Sequence, residues 1–255
     1  MNSTIIGVLE KKVLLWLAAR TPAWIMPDTL TLIGLLASIL IFISYALTYY
    51  DRRFLWLASV GFIIQWFGDS LDGTLARYRK IERPRYGFFV DHIIDSISEV
   101  LIFIGLGLSP FLRFDIALIA LVSYLLATIY VYLTTYVNGV FRISYGGVGP
   151  TEMRLIAIGT NSVVFFIGNP SLAFQAVSLS LFDLIVIGVI IIILSLFLYN
   201  TIITASILSR EDQDRNRAKA HQERIARRQA LRDQRAARKT AAQSARQSRV
   251  RVQID

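Results

Sequence analysis

The sequence contains no cysteine and only two histidines, His92 and His221. Disulfides and thiolate metal sites are therefore excluded, and a multi-histidine zinc site lacks ligands. The opening MNSTIIGVLEKK has no basic stretch leading into an apolar one and a small-residue cleavage site, so no cleaved signal peptide is expected. No internal repeat is visible. Charge is scarce over most of the chain. Of the net charge of +9, nearly all sits in Arg210–Asp255, where 12 Arg and 2 Lys face 6 acidic residues. The sequence thus reads as a nearly neutral body with a basic tail.

What fills the body is hydrocarbon. The chain is 55% hydrophobic with a mean hydropathy of +0.53, against about 45–50% apolar residues in soluble domains. The excess lies in long runs, which points to a bilayer. Six stretches approach the roughly 20 residues a membrane helix needs: Leu30–Tyr49, Phe54–Ala76, Phe88–Leu108, Ile116–Val137, Leu155–Gly168 with its flanks, and Leu181–Ile203. Backbone polar groups cannot go unsatisfied in lipid, so an all-α integral membrane fold is expected. Ile5–Ala19 is interrupted by Glu10, Lys11 and Lys12 and reads as an interfacial amphipathic helix. Residues 1–208 then form the membrane domain and 209–255 a basic tail, disordered or a solvated helix. Lys11, Lys12, Arg20, Arg77, Arg79, Lys80, Arg83, Arg85, Arg142 and the tail fall on one side of six alternating spans. Both termini are accordingly expected in the cytoplasm. The short loops suit a prokaryotic plasma membrane.

One cluster carries chemistry. Asp69 and Asp72 lie at i and i+3 near the end of the second span, and Asp91 and Asp95 at i and i+4 near the start of the third. Each pair shares a helical face. The connection from Tyr78 to Tyr86 is short enough to make the two helices antiparallel neighbours. Unpaired carboxylates are costly in a bilayer, and divalent cations such as Mg²⁺ or Mn²⁺ are their natural partners. Two such ions would clamp a diphosphate, drawn in by the neighbouring basic loop. Elsewhere, Glu99 either pairs locally or extends a polar cavity, and Glu152 and Arg154 either mark a span boundary or bind an acceptor. Gly146, Gly147 and Gly149 mark a turn.

From Asp69 to Asp95 the spacing is D-x2-D-G-x2-A-R-x9-G-x3-D-x3-D. This resembles the signature of the CDP-alcohol phosphotransferases. Pro27-Asp28-Thr29-Leu30-Thr31-Leu32-Ile33-Gly34 is similar to that family's entry into the first span, with Asp28 in place of Asn. The resemblance implies that Asp69, Asp72, Asp91 and Asp95 are metal ligands in a two-metal site. It implies that Asp95 is also the general base on the acceptor hydroxyl. Gly73 and Ala76 would let the CDP moiety approach the helix, Arg77 would help hold phosphate, and Gly87 would permit close packing. The implied reaction moves a substituted phosphate from a CDP-alcohol to a second alcohol and releases CMP, in phospholipid synthesis. A homodimer is implied as well.

His92 after Asp91, and Glu152 after Gly149-Pro150, are similar to the choline and ethanolamine phosphotransferase branch, although Ile93 stands where that branch has Gly. Both residues are candidates for deprotonating or orienting the acceptor. Two substrate pairs stay open: CDP-diacylglycerol with a soluble alcohol, which the compact length favours, and CDP-choline or CDP-ethanolamine with diacylglycerol. A cation-binding transporter is the rival from another class. It would place Asp near the bilayer middle and a second copy of the motif in spans four to six, which carry none. The basic tail is read as solvated or bound to anionic headgroups, with no nucleic-acid role assigned.

Overall fold

The computed structural model describes residues 5–138, 150–174 and 177–252; Arg142, Gly146, Gly147 and Gly149 lie outside them. In chain order the elements are α1 (Ile5–Arg20), α2 (Pro27–Leu47), α3 (Phe54–Tyr78), α4 (Pro84–Gly107), α5 (Phe114–Asn138), α6 (Pro150–Ile167), β1 (Ser171–Phe174), β2 (Val177–Ser180) and α7 (Leu181–Val252). The chain divides into two compact units, residues 1–198 and 199–255.

Local chemistry sets the boundaries. Pro27 and Pro84 open α2 and α4, where a missing N–H costs nothing. Gly168, at φ +86°, takes the left-handed conformation that ends α6. A reciprocal cap starts α7: the Asp183 amide donates to Ser180 Oγ at 3.0 Å and the Ser180 amide to Asp183 Oδ2 at 2.8 Å. The other oxygen of Asp183 accepts the Arg113 amide, pinning the α4–α5 connection to the same point.

Helices form at all six expected spans. Among the described residues, four of them are long and apolar enough to cross a membrane: α2, α3, residues 114–137 of α5, and residues 181–229 of α7. The chain is an integral membrane protein on this basis. In α4 the acidic residues Asp91, Asp95 and Glu99 lower the apolar character, and in α6 Glu152, Arg154 and Asn161 do so. The fold is all-α as expected, apart from two four-residue strands between α6 and α7 that pair antiparallel, Ser171 with Ser180 and Phe174 with Val177. One expectation is corrected: the N-terminal helix is not simply amphipathic. Leu14 and Ala18 are buried against Leu30, Leu71 and Leu75, while Val13, Leu15 and Trp16 remain exposed. Its apolar residues therefore serve more than one face.

The second helix organises the bundle. Both α3 and α4 pack closely on α2, whereas α3 and α4 do not pack closely along each other. The two helices are nonetheless neighbours, as expected, through side chains rather than backbone: the Asp69 carboxyl reaches Asp95 across the gap between them. The contacts with α2 run through small residues. A Cβ on Gly68 would lie 2.6 Å from the Gly34 nitrogen and the Leu30 oxygen, and one on Gly105 would lie 2.7 Å from Phe42 Cα. Such backbone approach is how helices associate where lipid offers no hydrophobic drive. A buried polar chain adds to it, with Tyr45 donating to Asn161 Oδ1 at 3.0 Å and Asn161 Nδ2 to Ser59 Oγ at 3.2 Å.

Replacing Gly68 by Ala should therefore force α2 and α3 apart and cost about 1–3 kcal/mol. Thermal unfolding in detergent would register the loss. Gly87→Ala, where a Cβ meets nothing within 4 Å, should leave the unfolding temperature unchanged.

Candidate active site

The final third of α3 and the first half of α4 supply the acidic residues on facing sides of the gap. On α4, ligand atoms of Asp91, His92 and Asp95 lie within 4.8 Å of one another, a spacing that a single cation can bridge. His92 Nδ1 is 3.3 Å from Asp91 Oδ2, and its ring stacks on Tyr132 at 4.8 Å between centroids, with Phe88 at 4.0 Å. Across the gap, the Asp69 carboxyl is within hydrogen-bonding reach of Asp95. Asp72 is buried, 8% exposed, and close enough to feel the charges of Asp69 and Asp91. The four aspartates thus converge, with His92 added to them.

Several side chains hold this arrangement, and sequence reading assigned them no such part. Thr31 donates to Asp72 Oδ2 at 2.6 Å. Arg154 bonds Asp69 Oδ2 and Gln65 Oε1, both at 2.5 Å, and so neutralises one carboxylate from a third helix. Glu10 of α1 accepts from Trp66 Nε1 and from Thr151 Oγ1, each at 2.8 Å, tying α1 to α3 and to the first turn of α6. Glu152 stands in that same turn, half-buried. The basic loop is only partly free for substrate. Arg79 donates to the carbonyls of Thr21, Pro22 and Ile25 at 2.6–2.9 Å, and Arg83 pairs with Asp28. Lys80, at φ 58°, reverses the chain between α3 and α4.

The small residues behave differently from one another. The Arg77 guanidinium lies over Gly73, where a Cβ would sit 3.4 Å from Nη1. Ala76 is half-buried, and its carbonyl accepts the Ile81 amide that closes the turn. Gly87, expected to permit close packing, instead looks onto open space.

Residues 24–199 match the CDP-alcohol phosphatidyltransferase family. The chain belongs to that family. Among curated relatives, this CDP-alcohol phosphatidyltransferase family member is 32% identical over 155 residues to cholinephosphotransferase 1 of Mus musculus, a match spanning 56% of this chain and 37% of the mouse protein. It is 28% identical over 158 residues to the archaetidylinositol phosphate synthase of Pyrococcus horikoshii, spanning 62% of this chain and 74% of that one. Among solved structures, the Mycobacterium tuberculosis phosphatidylinositol phosphate synthase with CDP-DAG bound is 25% identical with a TM-score of 0.43, over 62% of this chain and 77% of that one. The matched region is well under half the length of the mouse enzyme.

Removing the Thr31 hydroxyl strips a partner from a buried carboxylate. Thr31→Val should weaken Mn²⁺ binding roughly 10–100-fold, as loss of an outer-shell partner does at metal sites. Thr31→Ser should restore most of it. Calorimetric titration with MnCl₂ reads both.

Proposed function

We propose that this chain transfers a substituted phosphate from a CDP-linked alcohol to an acceptor alcohol, releasing CMP, in phospholipid biosynthesis. The observation that carries the reading is the convergence of Asp69 and Asp72 from α3 with Asp91 and Asp95 from α4. Donors of this kind suit hard divalent ions, Mg²⁺ or Mn²⁺. The close spacing of Asp91, His92 and Asp95 supports their holding one such ion, and Asp69 and Asp72 would hold a second with shared carboxylates. When bound, such ions offset the negative charge of the diphosphate.

The protein's own groups divide the remaining work. The α3 face at Gly73 and Ala76 admits the CDP moiety, and Arg77 above Gly73 reaches its phosphates. Asp95 takes the proton of the acceptor hydroxyl. The acceptor oxygen then bonds to the donor's β-phosphorus, and the bond from that phosphorus to the bridging oxygen breaks, with CMP leaving. Arg154 on Asp69 lowers the repulsion among the acids before substrate arrives. His92 and Glu152 orient the acceptor. The site opens to the cytoplasm, with both termini on that side, and residues 209–255 lie outside the catalytic unit. The enzyme acts as a homodimer in a prokaryotic plasma membrane.

With Mg²⁺ present, Asp95→Asn should lower kcat for CMP release about 10²–10⁴-fold, the range for loss of a general base. Asp69→Asn should instead raise the Mg²⁺ concentration needed for half-maximal rate. Stopped-assay CMP release reads both, and wild-type rates in His92→Ala and Glu152→Ala would remove those two residues from the reaction.

A further inference from the structure

A side chain already takes one cation position in the site. Arg154 of α6 donates to Asp69 Oδ2 and to Gln65 Oε1, both at 2.5 Å, and its side chain is only 11% exposed. The other acids have partners of a different kind. Asp72 accepts from the Thr31 hydroxyl on Oδ2 and from the Gly73 amide on Oδ1, and a neutral donor can share a carboxylate oxygen with an ion. On α4, ligand atoms of Asp91, His92 and Asp95 already lie within 4.8 Å of one another. Arg154 alone of these partners carries the ion's own sign of charge. Two cations on one oxygen, about 4 Å apart, repel strongly where water is excluded. The four aspartates carry four negative charges, which two divalent ions offset by themselves. A metal ion taking Asp69 Oδ2 therefore leaves Arg154 surplus there, and a guanidinium buried to this degree needs another carboxylate.

Glu10 is placed to be that carboxylate. It and Arg154 line one cavity of about 280 Å³ between α1, α3 and α6, walled by Val13, Ile63, Leu155 and Ile158. Among the described residues, these two are its charged linings. Neighbouring positions on the same two helices fix them. On α3, Gln65 bonds Arg154 and the next residue, Trp66, bonds Glu10. On α6, Thr151 bonds Glu10 one turn before Arg154. The bonds from Trp66 and Thr151 both fall on Oε1 of Glu10, so Oε2 is committed to neither.

We propose that Arg154 holds one of the two cation positions until a divalent ion replaces it, and that the released guanidinium crosses the cavity to Glu10. This rests on the two-metal reading above and adds an order to it. The α4 group takes its ion first, and the ion shared with Asp69 comes second, in exchange for Arg154. Glu10 belongs to α1, so the exchange links occupancy of the site to the N-terminal helix. Arg154 is a positioning residue in this scheme, acting through Asp69.

The test titrates the purified full chain in detergent with MnCl₂, without any CDP-alcohol, and reads free Mn²⁺ by its EPR signal. The wild type should show one tight and one weak site. Arg154→Met should tighten the weak site at least about tenfold, within the range of couplings between sites, and leave the tight site unchanged. Arg154→Gln serves if the first variant does not fold. Glu10→Gln keeps an acceptor for Trp66 and Thr151 and removes only the charge. It should loosen the weak site about fivefold in the wild type and have no effect in Arg154→Met, because the two groups act as one pair. Looser or unchanged Mn²⁺ binding in Arg154→Met would overturn the exchange and make Arg154 an outer support of Asp69. An equal effect of Glu10→Gln in both backgrounds would overturn the part given to Glu10. CMP release is assayed separately. The expected Mn²⁺ responses without CMP release from CDP-choline or CDP-diacylglycerol would uphold the exchange and overturn the transfer reaction.

Discussion

Carboxylates that repel one another have to be held together by what surrounds them, and here the holding is done by α2. Its backbone meets α3 at Gly34 and Gly68, the residue immediately before Asp69. That contact sets the depth of Asp69 and Asp72. From the same helix, Thr31 reaches Asp72 and Asp28 pairs with Arg83, which leads into α4. The further contact of Gly105 with Phe42 docks α4 on the opposite side. The gap between α3 and α4 follows, since each helix is bound to α2 rather than to the other.

The site is built from two sides with different demands. Toward α3 the surface is glycine and alanine, with a guanidinium above them, and suits a phosphate-bearing ligand that needs close backbone approach. Toward α5, α6 and α7 it turns into a cavity with acids at the mouth and hydrocarbon below. The two sides meet at Asp95, which Asp69 contacts across the gap. In the proposed reaction, that junction is where a proton leaves the alcohol as the phosphate arrives. Arg154 sits there too, so one positive side chain tempers the acids without closing the way to cations.

The acidic cluster was legible in the sequence because it is a spacing: Asp69 and Asp72, then Asp91 and Asp95, are fixed by helical geometry within 27 residues. The apolar runs likewise placed the helix starts to within about five residues, but not the end of α7, which runs on from the expected Ile203 to Val252. What stayed hidden depends on contacts between distant segments. Arg154 meets Asp69 across 85 positions and Glu10 meets Thr151 across 141, and no local pattern announces either. Thr31 was visible as part of an entry motif, but its bond to Asp72 was not. The pairing of Ser171–Phe174 with Val177–Ser180 was missed because two four-residue strands leave too short a pattern to read, and sequence alone does not show that a Cβ at Gly87 would meet nothing within 4 Å.

The central claim is that the four aspartates jointly hold divalent cations on which a CDP-alcohol is positioned. Anomalous diffraction from crystals grown with Mn²⁺ and CMP tests it most directly. The account predicts two manganese peaks between α3 and α4, about 3.5–4 Å apart, ligated by Asp69, Asp72, Asp91 and Asp95, with CMP phosphate against them. CMP bound elsewhere, or bound there with no manganese between the helices, would contradict it.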